Sequence, residues 1–138
     1  MEHLAIMKKG YIKLIVSGVK KIETRFSQKN IAPYMKLKEN DVVYMREVGH
    51  KVTASFVVGK VIYYNGFNEK VIKEINEKYA HLFQMSAGEW KLPDKAKYGT
   101  IIFIKNPHYI ENPFLICKRN RNGFCSYNSI DEIKVEHF

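Results

Sequence analysis

Lys20, Lys21, Glu23 and Arg25 place three cations and one acid within a single short stretch, "SGVKKIETRF", from Ser17 to Phe26. Arginine offers a planar fork of donors that suits a phosphate or a base edge. A carboxylate such as Glu23 accepts from an exocyclic amino group, as on cytosine or adenine. Lys20 supplies a mobile positive charge, or a base where burial lowers its pKa. Lys20, Glu23 and Arg25 could therefore hold a nucleotide without a metal. A plainer reading also fits, in which Glu23 and Arg25 pair to brace the fold and Lys20 stays in solvent. Spacing alone favours that plainer reading. Lys21 reads as a solvated neighbour.

The elements that must position these residues are legible in outline. Ile22, Thr24 and Phe26 alternate with Lys21, Glu23 and Arg25, the pattern of a strand with one apolar and one charged face. Before it, Tyr11, Ile12, Leu14 and Ile15 form a helical stripe ending at Gly18, a residue that commonly stops a helix. Leu4 to Met7 reads as an opening strand. Residues 27–41 are irregular around Pro33, and a strand follows from Val42. Lys51 to Tyr64 is rich in β-branched and aromatic residues, with Gly59 marking a bulge. Asn68 caps a helix predicted to reach Tyr79, with Phe67 stapled onto Ile72. Residues 81–99 read as a loop with one helical turn, and "TIIFIK" (100–105) as a short core strand. Asn122-Gly123 signals a tight hairpin with arms Phe114 to Arg119 and Phe124 to Tyr127.

Bulk properties narrow the class. The 138 residues suit one domain with a real core. No apolar run approaches the roughly 20 residues that span a bilayer, and the N-terminal stretch lacks a secretory pattern. A cytoplasmic protein without a membrane partner is expected. Cys117 and Cys125 match no disulfide framework or common zinc spacing and read as buried thiols. The five histidines are scattered, so neither a metal nor another cofactor is expected. Lys and Arg number 23 against 14 acids, a formal net charge of +9 that attracts polyanions. Strands outnumber helices, which points to a small closed or nearly closed sheet with helices packed at its openings.

Gly18, Lys20, Glu23 and Arg25 occupy all four fixed positions of GxKxxExR, and in this the chain resembles the ASCH domain family. "KENDVVYMREVGHKVTASFVVGKV" and "YGTIIFIK" are similar to later strands of that family, so the resemblance covers roughly Leu4 to Lys105. It implies an α+β fold, a small PUA-like, mostly antiparallel β-barrel with two or three peripheral helices. Residues 1–138 would form one such domain, with 107–138 a possible subgroup-specific extension. The resemblance further implies a cleft lined by the motif, with Gly18 as a structural position. The expected partner is RNA, another single-stranded nucleic acid, or a modified nucleoside or nucleotide.

A competing class is an enzyme: a metal-independent hydrolase of an acylated cytidine-type nucleoside, or a ribonuclease. Lys20 and Glu23 would then be its base and acid. In the deacylating subgroup that this resembles, the Glu23 position is a threonine nucleophile, helped by the lysine and a later glutamate. Thr24 should face the other side of the strand, and nothing singles out Glu69, Glu74, Glu77 or Glu89. A third class is a module that docks an acidic protein. Further candidates for ligand binding lie outside the motif. Trp90 could cover a bound base or plug the barrel, and Tyr98 before Gly99 is a similar, lesser candidate. Lys118, Arg119 and Arg121, beside Phe124 and Tyr127, could track a nucleic-acid backbone or simply solubilise a turn.

Overall fold

A computed structural model describes residues 1–83, 90–117 and 122–135. Its elements are β1 Glu2–Met7, α1 Tyr11–Val16, β2 Ile22–Ser27, β3 Val42–Glu47, β4 Val52–Asn65, α2 Glu69–Lys78, α3 Ala80–Phe83, β5 Tyr98–Phe114 and β6 Phe124–Tyr127. One short 3-10 turn, Ile130–Glu132, follows. The six strands form one sheet in the order β2-β5-β4-β3-β1-β6. Among the described residues only the β1–β3 pair is parallel. This is the expected α+β, mostly antiparallel architecture, a mixed half-barrel carrying three short helices. No helix of the described residues is long and apolar enough to cross a membrane.

Local sequence explains how the motif strand is launched. α1 buries Ile12 and Ile15, and after it Gly18 takes a φ of +84°, a conformation costly for any residue with a side chain. The Lys20 amide then closes the turn on the Leu14 carbonyl at 3.0 Å. Gly59 sits where the β4–β5 register shifts, and a Cβ there would lie 3.0 Å from the Phe103 carbonyl oxygen. A bulge at a glycine lets β4 bend around the half-barrel. The Asn68 side chain caps α2 by accepting from the Val71 amide at 2.9 Å.

The core lies in two main layers. Inside the half-barrel, Met7, Ile15, Met45, Phe56, Val58 and Ile102 pack together beneath α1. On the outer face, Ile22, Tyr64, Ile75, Phe83 and Ile101 pack under α2 and α3. Each such buried side chain contributes about 2 kcal/mol of transfer free energy.

Phe67 packs its ring on Phe26 and Tyr64, at centroid distances of 5.8 and 5.9 Å. Two expectations need correction. The "TIIFIK" strand does not end at Asn106-Pro107 but continues to Phe114, because β4 is long enough to pair with it as far as Val52. The register shifts along the ladder absorb the proline, which bulges tolerate. Of the expected tail hairpin, residues 118–121 lie outside the described residues; β6 pairs with the edge of β1, while Leu115 and Cys117 bond to Val135 and Ile133. Finally, Cys125 is buried but Cys117 is exposed, lying past the end of β5.

Candidate functional site

Register on β2 decides which face carries the motif. Glu23 lies opposite Ile102, an inner-core residue, whereas Ile22 and Thr24 lie opposite Phe103 and Ile101 of the outer layer. Directly paired residues share a face, so Glu23 and Arg25 project into the half-barrel. The charged face of the strand is its inner face, and Thr24 falls on the other side as alternation requires.

There Lys20, Glu23 and Arg25 line one concave cleft of about 190 Å³ with Tyr11 and Phe83. Lys20 is almost fully enclosed, at 2% exposure, and Glu23 is exposed by only 5%. The plainer reading, with Lys20 in solvent, does not hold. The Lys20 ammonium donates to the Ile22 carbonyl at 2.8 Å and stands 5.3 Å from the centroid of the Tyr11 ring. Burial pushes its pKa below the ordinary lysine value. The Glu23 carboxylate opposes that shift, while Arg25 and Lys8 reinforce it.

Glu23 is only half satisfied. Its Oε1 accepts from the Thr24 amide at 2.9 Å, but Oε2 is buried with no hydrogen-bond partner among the described residues. An unpaired buried acceptor costs about 1–3 kcal/mol, so it marks a place where a donor is missing.

Arg25 does something else. It does not pair with Glu23 among the described residues. Its guanidinium donates to the Ile6 carbonyl at 2.9 Å and to the Gly123 carbonyl at 3.4 Å, and it stands 5.7 Å from the Phe124 ring centroid. β2 and β6 end the sheet order, and Ile6 and Gly123 lie at the β1–β6 end. The arginine thus ties the first edge of the sheet to the last. A side chain closes the half-barrel where, among the described residues, no strand pairing does.

Solved structures share this arrangement of strands. A crystal structure of a ZmASCH mutant protein from Zymomonas mobilis aligns with a TM-score of 0.65 at 11% identity, covering 95% of this chain and 93% of that one. A crystal structure of ASCH from the same organism aligns with a TM-score of 0.58 at 14% identity, covering 81% of this chain and 71% of that one. The chain has an ASCH fold. No family model and no curated protein matches it.

Within the ASCH fold the remaining candidates scatter. Trp90 packs on Phe26 and Phe83, with centroids 5.2 and 6.0 Å away, as part of the outer layer and behind the cleft wall. Lys118, Arg119 and Arg121 lie outside the described residues, as does Glu89. Glu74 and Glu77 form i,i+4 pairs with Lys78 and Lys73 on α2, and with Glu69 they stay away from the cleft wall. Among the described residues, no group of three His, Cys, Asp or Glu side chains converges in a way that could hold a metal.

Sequence reasoning missed Tyr11 and Phe83 as cleft residues. Tyr11 reads as part of a helix stripe, and nothing in spacing separates a stripe residue that reaches into a cleft from one that fills a core. It also missed a second concavity, of about 160 Å³, on the far side of Arg25. Tyr34 and Tyr98 line it together, though they are 64 positions apart in the chain.

Proposed function

We propose that the chain binds single-stranded RNA or a nucleotide in the cleft of Lys20, Glu23 and Arg25. Glu23 Oε2 accepts from an exocyclic amine or another base donor. Lys20 faces an acceptor on the same ring, and the remaining donors of Arg25 meet phosphate. The observation that carries this reading is the orphaned Glu23 oxygen beside a buried ammonium. Two opposite charges held in a cavity, one of them short of a donor, fit a ligand edge that presents a donor next to an acceptor. The cleft is somewhat larger than the cavity of about 150 Å³ that accommodates a benzene ring, so one base ring fits. The net charge of +9 adds affinity that salt weakens. No cofactor enters the scheme.

The test is binding of labelled single-stranded RNA and its DNA counterpart across a salt series, by the wild type and by Glu23→Gln. Glutamine keeps the size of the side chain and can still accept from Thr24, but presents an amide at the orphan position. Salt-sensitive binding that falls at least tenfold in the variant supports the cleft. Equal binding by a folded Glu23→Gln protein removes the motif from the interface.

A second reading draws on the lowered Lys20 pKa. A lysine that sheds its proton more readily can act as a general base, with Glu23 as its acid partner, in hydrolysis of a modified nucleoside or of RNA. Product formation in the wild-type samples, abolished in Lys20→Met, would favour that class over simple binding.

A further inference from the structure

We propose that the concavity beyond Arg25 is a second base subsite, so that the protein holds two consecutive nucleotides of one strand with Arg25 at the phosphate between them. This inference rests on the cleft reading above and extends it. The guanidinium of Arg25 is a wall common to both hollows, facing Lys20 and Glu23 on one side and Phe26, Tyr34 and Tyr98 on the other. β2 runs under both, with Glu23 to Arg25 lining the first and Arg25 to Ser27 the second. Their centres are therefore offset by about two residues, roughly 7 Å along the strand.

The two hollows differ in the chemistry that they offer. The first presents buried charge suited to the edge of a base. The second presents aromatic rings: Tyr34 and Tyr98 stand 4.9 Å apart between centroids and are only half-buried, and Ile31 at the rim is 46% exposed. Lys97, next to Tyr98 in the chain, places its ammonium 5.4 Å from the Tyr98 ring centroid. Aromatic faces with cations at the rim stack bases and hold the backbone without reading sequence. A hollow of about 160 Å³ accepts one six-membered ring, so a pyrimidine seats more fully than a purine. The shared arginine favours a nucleotide over an apolar peptide, which would gain nothing from it.

The experiment measures, by calorimetry, binding of 5′-phosphorylated cytidine (pC), of its dinucleotide pCpC, and of pC extended by an abasic nucleotide. Wild type is expected to bind pCpC at least tenfold more tightly than either of the others. Tyr34→Ala and Tyr98→Leu should lose that gain yet hold pC as the wild type does, and Tyr34→Phe should keep it. Glu23→Gln should weaken pC itself. A dinucleotide that binds no better than its abasic counterpart overturns the second subsite and leaves the first standing. A gain that survives both tyrosine substitutions in folded proteins also overturns it. If wild type binds neither pC nor pCpC, the cleft reading falls together with this one.

Discussion

Two buried acid–base clusters in this molecule have similar ingredients and opposite degrees of satisfaction. His3 is completely enclosed, its Nδ1 2.8 Å from the Ser126 hydroxyl and its Nε2 2.8 Å from Asp41 Oδ2. The same Asp41 oxygen accepts from the Lys38 amide at 3.1 Å, and Oδ1 lies 3.6 Å from the amino terminus. This cluster ties β1 to β6 and to the turn before β3, and none of the three residues lines either hollow beside Arg25. The Lys20–Glu23 cluster is just as enclosed, yet one carboxylate oxygen has no partner among the described residues. The other such atom, Arg46 Nε, belongs to a partly exposed guanidinium that still reaches the His50 carbonyl at 3.4 Å. Buried polar groups that are fully partnered hold a fold, and those left short are candidates for a ligand.

The largest expected effect comes from breaking the satisfied cluster. Asp41→Ala strands the buried His3 Nε2 and the Lys38 amide, and should lower the unfolding free energy by about 3 kcal/mol. Urea denaturation reads this as a lower midpoint with an unchanged slope, while the refolded protein keeps its affinity for pC. A loss below about 1 kcal/mol would show that the cluster does not tie the strands.

Arg25 stands between the two types, a motif residue whose donors are largely spent on backbone. Arg25→Lys cannot reach the Ile6 and Gly123 carbonyls together, and should cost about 2 kcal/mol of stability. Affinity should fall as well, so only a variant measured well below its melting point is informative. Unchanged stability would mean that the half-barrel closes without this side chain.

The elements that position the motif were legible because each had a local cause: a glycine stop, a period of two, an asparagine cap. The inward direction of Glu23 and Arg25 was not, because alternation gives two faces without saying which one meets the core. Only the pairing of Glu23 with Ile102 decides that. The plain bracing role considered for Arg25 is half realised, with backbone carbonyls standing where Glu23 was expected. The His3–Asp41–Ser126 cluster left no trace in the sequence, since its members are 38 and 123 positions apart and meet only through the sheet.

Glu23→Gln reverses the pattern expected for Asp41→Ala. Replacing the orphan acceptor should leave stability unchanged or raise it by up to about 1 kcal/mol, while binding of pC falls at least tenfold. A variant that loses stability and keeps its affinity would make Glu23 a structural residue and erase the contrast between the clusters.

The smallest effect is a pH dependence that the enclosed histidine should impose. Burial lowers the His3 pKa below 6.5 despite the nearby Asp41 carboxylate, whose hydrogen bond and charge pull the other way, as does the charge of Glu2. The unfolded chain therefore takes up a proton before the folded one does as pH falls. The contribution of neutral His3 is intact above pH 6.5 and is lost as pH drops from there through the lowered native value. One proton limits the slope to about 1.4 kcal/mol per pH unit. The folded state also disfavours charge on Lys20, so stability should rise on the alkaline side as pH climbs toward 10.5. Unfolding free energies of wild type and His3→Gln between pH 7 and pH 5 isolate the acid limb, because the two proteins differ only at this residue. Wild type should lose more stability across that interval. Equal losses would mean that His3 takes up a proton in the folded protein as readily as in the unfolded chain, and that the cluster is less closed than its geometry indicates.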